Sequence, residues 1–223
     1  MDWSALVTSI KLALVATLIL MPVAIFLARW LAWSQFAWKG FVEAIVALPL
    51  VLPPTVLGYY LLILFSRQGL IGAPYEQLFD SSLAFSFTGL LLACLIFNLP
   101  FAVQPAQRAF ETVSREVRES AWCCGMTPWK TFWQIELPLA WGGVLSAALL
   151  TFAHTIGEFG VLLMVGGNIP GETRTLSIAI FDQVEAFNEQ AAANMSLLLL
   201  GFSVLVIGCV YFLNHRLRLA RNG

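Results

Sequence analysis

The chain has 223 residues, of which 59% are hydrophobic and 11% charged, whereas soluble domains carry roughly 25% charged residues. A soluble core of this length cannot bury so much apolar surface, so the solvent around the protein must be lipid. The net charge of −1 gives no basis for a nucleic-acid partner. The four cysteines follow neither the spacing of a disulfide framework nor that of a zinc site.

Five apolar segments are long enough to cross a bilayer, which takes about 17–25 residues. They run from about residue 6 to 31, 42 to 65, 85 to 103, 139 to 164 and 195 to 212. The first lacks the basic start and cleavage site of a signal peptide, so we expect it to be retained. A sixth crossing within residues 175–190 is disfavoured by three acids: Asp182, Glu185 and Glu189. The sequence predicts an all-α integral membrane protein, a single domain over residues 1–223.

Basic residues orient these spans with the N-terminus outside and the C-terminus inside. The outer side then holds only Lys11, Arg67 and Arg174. The inner side holds the larger set: Arg29, Lys39, Arg108, Arg115, Arg118, Lys130, Arg216, Arg218 and Arg221. This excess of inner positive charge follows the positive-inside rule. The polar loop 111–138 is therefore expected in the cytoplasm.

A proline cluster interrupts the second span. Prolines lack a backbone N–H and obstruct the helical bond to the carbonyl one turn earlier. Broken backbone at membrane depth is tolerated only against protein or a water-filled cavity. We predict a kinked helix that lines a pathway through the protein, and a kink used only for packing is the alternative. The candidate residues are Pro49, Pro53, Pro54, Thr55 and Gly58.

The fourth span carries small and polar residues at spacings of four, four, three and four, which places them on one helical face. They are Gly143, Ala147, Thr151, His154 and Glu158. Such a face is expected to meet another helix or a central cavity. We add Gly157 and Gly160, which flank the acid, to the pathway candidates.

Glu158 lies about 30 Å along a helix from Pro138, which predicts a position near the outer interface. A carboxylate repels an anion, so direct anion binding by Glu158 is not expected. We assign it to gating or to pairing with His154 or Arg174, and a plain interfacial ion pair is the alternative.

The loop at residues 166–175 is rich in turn residues and is expected on the outside. Its polar side chains Asn168 and Arg174 are candidates for contact with a periplasmic partner. Arg174 is also a candidate for helping an oxyanion to pass, and a salt bridge within the loop is the alternative. The apolar residues that follow predict a short helix on the membrane surface: Leu176, Ile180, Phe181 and Val184.

Residues 119–138 predict a helical elbow, which means two short helices joined by a turn. Gly125 ends the first helix, because glycine takes the left-handed C-cap conformation without penalty. Thr127 is the N-cap of the second helix, and Pro128 occupies its first turn. A second break is predicted at Leu137-Pro138, where the next apolar helix begins.

The elbow resembles the EAA loop of bacterial ABC importer permeases. That pattern is E-A-A, three residues, G, nine residues, I, one residue and L-P, and this chain departs from it only at Ser120. In that family the loop is a coupling helix that sits in a groove of the ATP-binding subunit. An ordinary cytoplasmic connector is the alternative. The resemblance implies docking residues at Glu119, Ser120, Ala121, Gly125, Met126, Thr127, Pro128, Leu137 and Pro138.

The chain contains no P-loop. The nearest approach, at residues 125–131, has tryptophan before the lysine where a glycine is required. No catalytic set of Ser, His and Asp or of Cys and His is present. We therefore expect a non-catalytic subunit with no cofactor or metal of its own, and ATP and Mg²⁺ bound by a partner ATPase.

Three further segments resemble the molybdate permease subunits of this family: LPLVLPP-x3-G-Y at 48–59, GEFG at 157–160 and GNIPGETRT at 167–175. The resemblance implies the type I ABC importer transmembrane fold and a homodimer of ten helices in the bacterial inner membrane. It also implies two cytoplasmic ABC ATPase subunits, a periplasmic molybdate-binding protein and alternating access. High affinity would belong to the binding protein, with no tight site in the permease.

Other functions stay open at this point. A sulfate, thiosulfate or tungstate permease would share the elbow and a similar GEFG segment. A secondary transporter would need charges at mid-depth, where this chain offers only His154 and Glu158. A membrane enzyme or assembly factor lacks any supporting catalytic set.

Overall fold

A computed structural model describes the backbone of residues 2–222 and the side chains of residues 2–209, 211 and 212. The predicted inner residues Arg216, Arg218 and Arg221 lie outside the described side chains. Described residues form α-helices and one π-turn, Phe132–Glu136. The helices are α1 (Trp3–Trp33), α2 (Lys39–Val51), α3 (Pro54–Phe65), α4 (Gly72–Phe79), α5 (Phe87–Glu111), α6 (Arg115–Cys123), α7 (Pro128–Thr131), α8 (Leu137–Gly157), α9 (Gly160–Gly166), α10 (Leu176–Glu185) and α11 (Glu189–Asn222).

The all-α fold with about five spans is confirmed. Four helical stretches of the described chain are long and apolar enough to cross a bilayer: Trp3–Trp33, Phe87–Glu111, Pro128–Gly157 and Glu189–Cys209. The bent pair α2 and α3 supplies the fifth. α10 has ten residues, which is too short for a crossing.

The helices α1, α5 and α8 pack together as the centre of the fold. The buried side of α1 is lined by small residues with no exposed surface: Ala5, Ala13, Ala16, Ala24 and Ala28. Small residues let helix backbones approach closely, which is how helices associate where lipid removes the usual hydrophobic driving force. α8 meets α5 in the same manner, because the predicted small face of α8 turns toward α5, with Ala147 and Thr151 fully buried.

The second span is broken and not merely kinked. α2 ends at Val51, α3 begins at Pro54, and their axes differ by 107°. Pro53 and Pro54 cannot donate the backbone bonds that would continue α2, so the chain leaves the helix at Leu52 with an extended ψ of 133°. Pro49 stays inside α2.

The fourth span departs from the prediction of one continuous helix over residues 139–164. α8 ends at Gly157, Glu158 is extended with φ −70° and ψ 138°, and the separate helix α9 follows from Gly160. A serine on α10 bonds to the backbone carbonyl freed at this break, since the Ser177 hydroxyl donates to Glu158 O at 2.5 Å.

The short helix after the outer loop is present as α10, and its apolar residues divide into a buried and an exposed group. Leu176, Ile178 and Ala179 are buried, whereas Phe181 and Val184 are exposed. The buried face is set by contact with protein, because Leu176 and Ala179 cluster with residues of α1 and α11.

Adding one methyl group at Gly143 should disrupt the contact between α5 and α8. A Cβ there would overlap the Cβ of Ala109 and lie 3.1 Å from the carbonyl oxygen of Pro105. We expect Gly143→Ala to lower the Tm of the purified protein by roughly 2–10 °C, the scale of an overpacked core.

The matched control is Gly201→Ala in α11, where an added Cβ meets no atom within 4 Å. Alanine is favoured over glycine in a helix, so this change should leave Tm unchanged or raise it. A Gly143→Ala protein that melts at or above the wild-type temperature would contradict the close approach.

Candidate functional site

The elbow turn forms as predicted. α6 ends at Cys123, and Gly125 follows with φ +81°, a left-handed conformation that glycine adopts without strain. Two backbone bonds close the turn, from Gly125 N to Trp122 O at 2.9 Å and from Met126 N to Ala121 O at 3.1 Å. The Thr127 hydroxyl accepts from Lys130 N at 3.3 Å and caps the next helix. The backbone therefore fixes the angle between the two arms.

The residues of the elbow pattern divide into a buried set and an exposed set. Ala121 and Leu137 are buried, so they anchor the elbow to the protein and offer no surface to a partner. Met126 is half-buried. The exposed set consists of Glu119, Ser120, Gly125, Thr127, Pro128 and Pro138.

α8 begins at Leu137 as predicted, but a π-turn stands in place of the expected break. The stretch from Pro128 to Gly157 stays helical throughout, and the π-turn over Phe132–Glu136 lies directly before Leu137. Pro138 has no N–H to donate, and its ring would collide with the carbonyl of an ordinary preceding turn. The wider turn, closed from Leu137 N to Phe132 O, accommodates it.

A buried ion-pair triad connects the elbow to the first span. Glu136 has no exposed surface, and its carboxylate accepts from Arg29 Nε at 2.5 Å and from Arg118 Nε at 2.8 Å. No pattern in the sequence predicted that these three residues form a unit. The signal available was an acid placed directly before an apolar span, with an arginine near the end of the first span.

Aromatic side chains pack around the same connection. Phe26 of α1 contacts Phe132 and Trp129, with ring centroids 5.5 and 6.2 Å apart. Phe132 is buried between Phe26 and Phe110. The elbow is thus held against α1 by both apolar and charged contacts.

A second candidate site is a cavity of about 170 Å³ at the two helix breaks. It brings together four of the predicted pathway residues: Pro49, Pro54, His154 and Glu158. Leu50, Leu52, Leu57, Phe97, Phe101 and Val161 complete its lining among the described residues. The cavity walls are therefore mostly apolar, with one imidazole and one carboxylate.

The other predicted pathway residues lie around the cavity or away from it. Gly160 lies against Pro54, since an added Cβ would be 2.9 Å from the proline Cβ. Gly58 lies against Met164 of α9, where an added Cβ would be 2.8 Å from the methionine Cβ. Thr151 is buried inside the helix packing, whereas three residues are exposed: Pro53, Thr55 and Gly157.

His154 is fixed by α5 and not by Glu158. Its Nδ1 lies 3.0 Å from Asn98 Oδ1, and Asn98 Nδ2 donates to Thr155 Oγ1 at 2.8 Å. Because the amide oxygen of Asn98 is the acceptor, the imidazole proton on this side belongs to Nδ1. The ring of Phe101 stacks on the imidazole at 3.9 Å. No pattern in the sequence pointed to Asn98 or Thr155, which bond to each other across α5 and α8.

Glu158 caps the helix that follows the break. Its Oε1 accepts from Val161 N at 3.1 Å, so the carboxylate caps the start of α9. The predicted pairing with His154 or Arg174 is wrong for the described part of the chain, where neither pair forms. The physical reason is the end of α8 at Gly157, which leaves backbone N–H groups of α9 for the carboxylate to satisfy.

Comparison with known proteins decides the family. The profile of the binding-protein-dependent transport system inner membrane components matches residues 7–219. The chain belongs to this family. The Azotobacter vinelandii molybdenum transport system permease protein ModB is 45% identical to it over 94% of this chain and 93% of that protein. A probable sulfate transport system permease protein, cysT of Zygnema circumcarinatum, is 35% identical over 82% of this chain and 65% of that protein.

The permease also shares its fold with a solved transporter. A bacterial alginate ABC transporter, determined in complex with an alginate pentasaccharide-bound periplasmic protein, superposes with a TM-score of 0.70 at 17% identity. The match covers 95% of the permease and 76% of the solved chain. At this identity the likeness concerns the fold alone.

Polar residues of the permease's outer loop form a network with the N-terminus. Arg174 donates to Asn168 at 2.6 Å and pairs with Asp182 at 3.4 Å and with Asp2 at 3.6 Å. Asn168 in turn donates to both carboxylate oxygens of Asp182 at 2.7 Å. Both ion-pair partners of Arg174 lie outside the loop, since Asp2 precedes α1 and Asp182 belongs to α10. No cluster of metal-ligating side chains occurs within the part of the chain that the structure describes.

The outer network makes a prediction about acid stability. The pKa of Asp2 is lowered by the Ser4 hydroxyl, by the backbone N–H of Ala5 and by Arg174, although partial burial opposes the shift. A carboxyl with a lowered folded pKa contributes stability above its ordinary pKa, and this contribution is lost as the pH falls through that range. We expect the Tm of the permease to fall below about pH 4, and to fall less steeply in Asp2→Asn.

Asparagine caps a helix as well as aspartate does, so Asp2→Asn removes the charge and keeps the cap. Glu189→Gln, an exposed carboxylate outside this network, is the control and should reproduce the wild-type pH profile. Thermal melts between pH 7 and 3 make the comparison. Parallel profiles for wild type and Asp2→Asn would contradict the prediction.

Proposed function

We propose that the permease is the membrane-spanning subunit of an ATP-driven ABC importer that carries molybdate into the cytoplasm by alternating access. The observation that carries the proposal is the 45% identity, over 94% of the chain, to a protein named for molybdenum transport. The geometry of the elbow supports the ATP-driven part, because a rigid turn presents an exposed face and is anchored on its inner side.

The exposed elbow residues dock into a groove of a cytoplasmic ABC ATPase subunit, which binds ATP and Mg²⁺. Two such subunits serve a homodimer of the permease in the bacterial inner membrane, with the N-terminus outside. A periplasmic binding protein delivers the oxyanion to the outer face. The complex of the alginate transporter with its periplasmic protein supports this kind of partner.

The permease contributes geometry and no bond chemistry. Dehydrating an oxyanion in a low-dielectric pore is costly, so a passage with few strong contacts suits release better than a tight site. The cavity at the breaks fits this role, since its carboxylate repels anions and already accepts a backbone N–H, while His154 Nδ1 is occupied by Asn98. We place the gate at these breaks, where Pro54 and Gly160 meet.

Sulfate is the second candidate substrate. The 35% identity to a probable sulfate permease favours it, and the elbow is common to both groups. The deciding measurement is uptake by proteoliposomes that contain the permease, its co-purified ATPase and the binding protein. We expect molybdate uptake that requires ATP and that molybdate and tungstate inhibit more strongly than sulfate.

Uptake that follows a proton gradient and ignores ATP depletion would favour a secondary transporter and contradict the proposal. Failure of the permease to co-purify with a P-loop ATPase would also contradict it. Micromolar or tighter binding of molybdate to the isolated permease in equilibrium dialysis would contradict the absence of a tight site.

A substitution at Gly125 tests the elbow directly. Valine at φ +81° is strained because a β-branched side chain disfavours the left-handed region, and no other atom within 4 Å opposes an added Cβ. We expect Gly125→Val to reduce both uptake and stimulated ATPase activity by about ten-fold or more, since a strain of about 2 kcal/mol suffices for that change.

Gly125→Asn is the matched control, because asparagine tolerates the left-handed conformation, and it should keep most of the activity. Protein amount and ATPase co-purification are measured in parallel. Normal uptake and ATPase activity in Gly125→Val at normal expression would disprove the docking role of this turn.

A further inference from the structure

The ion-pair triad joins three segments that are separate in the sequence. Arg29 belongs to α1, Arg118 to α6 and Glu136 to the π-turn that leads into α8. The carboxylate accepts from Arg29 Nε at 2.5 Å, from Arg29 Nη2 at 3.4 Å and from Arg118 Nε at 2.8 Å. Both arms of the elbow are therefore bonded at one point to the first span.

The triad is shielded from solvent. The Glu136 side chain is 0% exposed, that of Arg118 is 12% exposed and that of Arg29 is 27% exposed. Exposed ion pairs exchange partners with water at little cost. A buried carboxylate that loses a partner keeps an uncompensated charge. This connection therefore resists opening far more than the exposed pair Arg115–Glu119 on the same elbow.

Aromatic rings hold both arginines in place. The Arg118 guanidinium lies 3.8 Å from the ring centroid of Trp33 on α1 and 5.1 Å from that of Trp122 on α6. The Arg29 guanidinium lies 5.3 Å from the ring centroid of Phe132. Such cation–π contacts fix the planes of the guanidinium groups, so the geometry of the triad is specified from both sides.

The π-turn sets which elbow side chains face α1. One extra residue in a helical turn rotates the preceding residues by about 100° relative to the residues that follow. α8 begins directly after Glu136, and its first residue Leu137 bonds back to Phe132. The orientation of the Glu136 side chain toward the two arginines therefore depends on the π-turn that also accommodates Pro138.

We propose that Glu136 is a positioning residue for coupling, which clamps the elbow to α1 so that the two move as one rigid unit. The inference rests on the proposed function. α8 is covalently continuous with the elbow and must follow its displacement. α1 has no such continuity, and the triad supplies the charged link by which motion of the docked elbow reaches it.

The first test measures uptake and ATP hydrolysis together in proteoliposomes that hold the complete transporter. Arg29→Gln keeps hydrogen-bonding capacity and removes the charge that links α1. We expect molybdate uptake per ATP hydrolysed to fall on the order of ten-fold, the scale of an allosteric coupling, while ATPase activity stays within about two-fold. Arg29→Lys retains the charge and should restore most of this quotient of molybdate uptake to ATP hydrolysed.

The matched control is Arg108→Gln. Arg108 pairs with Glu111 at the surface, and the arginine side chain is 82% exposed. This change should leave the quotient at the wild-type value. A wild-type quotient in Arg29→Gln would overturn the proposal. A parallel fall of uptake, ATPase activity and assembled complex would also overturn it, because that result describes a structural contact only.

A second measurement uses a transporter with the triad intact, so it does not depend on how the variants fold. Spin labels replace Gln35, just after α1, and Lys130 on the elbow, both of which are exposed, in a background with Cys123, Cys124 and Cys209 changed to serine. The distance between the labels should be the same without nucleotide and with trapped ATP. A change of several ångströms would overturn the rigid unit.

These two measurements distinguish a failure of the clamp from a failure of the proposed function. Absence of ATP-dependent molybdate uptake in the wild type would refute the function, whatever the labels report. Normal uptake together with a changing distance between the labels would refute the clamp alone.

Discussion

Backbone hydrogen bonding is the constraint on which this structure depends, because lipid offers no partner for a freed N–H or C=O group. At the break after α8 the protein supplies both partners itself. The carboxylate of Glu158 accepts from Val161 N, and the hydroxyl of Ser177 donates to the carbonyl of Glu158. Two of the backbone groups freed by the interruption are therefore bonded to side chains of the protein. Of the two described polar side chains that line the cavity, Glu158 is bonded to the backbone and His154 to the side chain of Asn98.

The elbow solves the same problem in a different way. It turns at a glycine with positive φ, starts its second arm with a threonine cap and passes Pro138 by a π-turn. Each device keeps the helical ladder nearly complete, so the elbow is stiff although its outer face is polar and exposed. Stiffness suits the proposed docking role, because a flexible loop would absorb a displacement that a helical arm transmits.

Local signals in the sequence predicted a large part of this fold. Hydropathy located the five spans, and the cap residues Gly125, Thr127 and Pro128 located the turn of the elbow at the correct positions. Proline chemistry predicted the interruption at 52–53, although a turn of 107° exceeds a kink. At Leu137-Pro138 the same rule overestimated the effect of proline, since the π-turn keeps the chain helical and shifts its register by one residue.

Contacts between distant segments were beyond the reach of such rules. Arg29 and Glu136 are 107 residues apart, and Asn98 and His154 are 56 apart. One-dimensional spacing suggested that His154 and Glu158 pair, because they are a turn apart on one helix. The end of α8 at Gly157 removed that geometry, and neighbouring helices supplied other partners. The glycines on both sides of Glu158 were the available warning of a break.

Rigid and deformable parts of the permease alternate in space. α1 and α8 pack against α5, and the elbow joins them at the inner end through the triad and the rings of Phe26 and Phe132. The helical ladder is interrupted at 52–53 and at 158–159, where Pro54 lies against Gly160. When a stiff unit is displaced, the chain bends where the fewest backbone bonds resist. The two interruptions are adjacent and border one cavity, so bending at either one changes the opening of the same space.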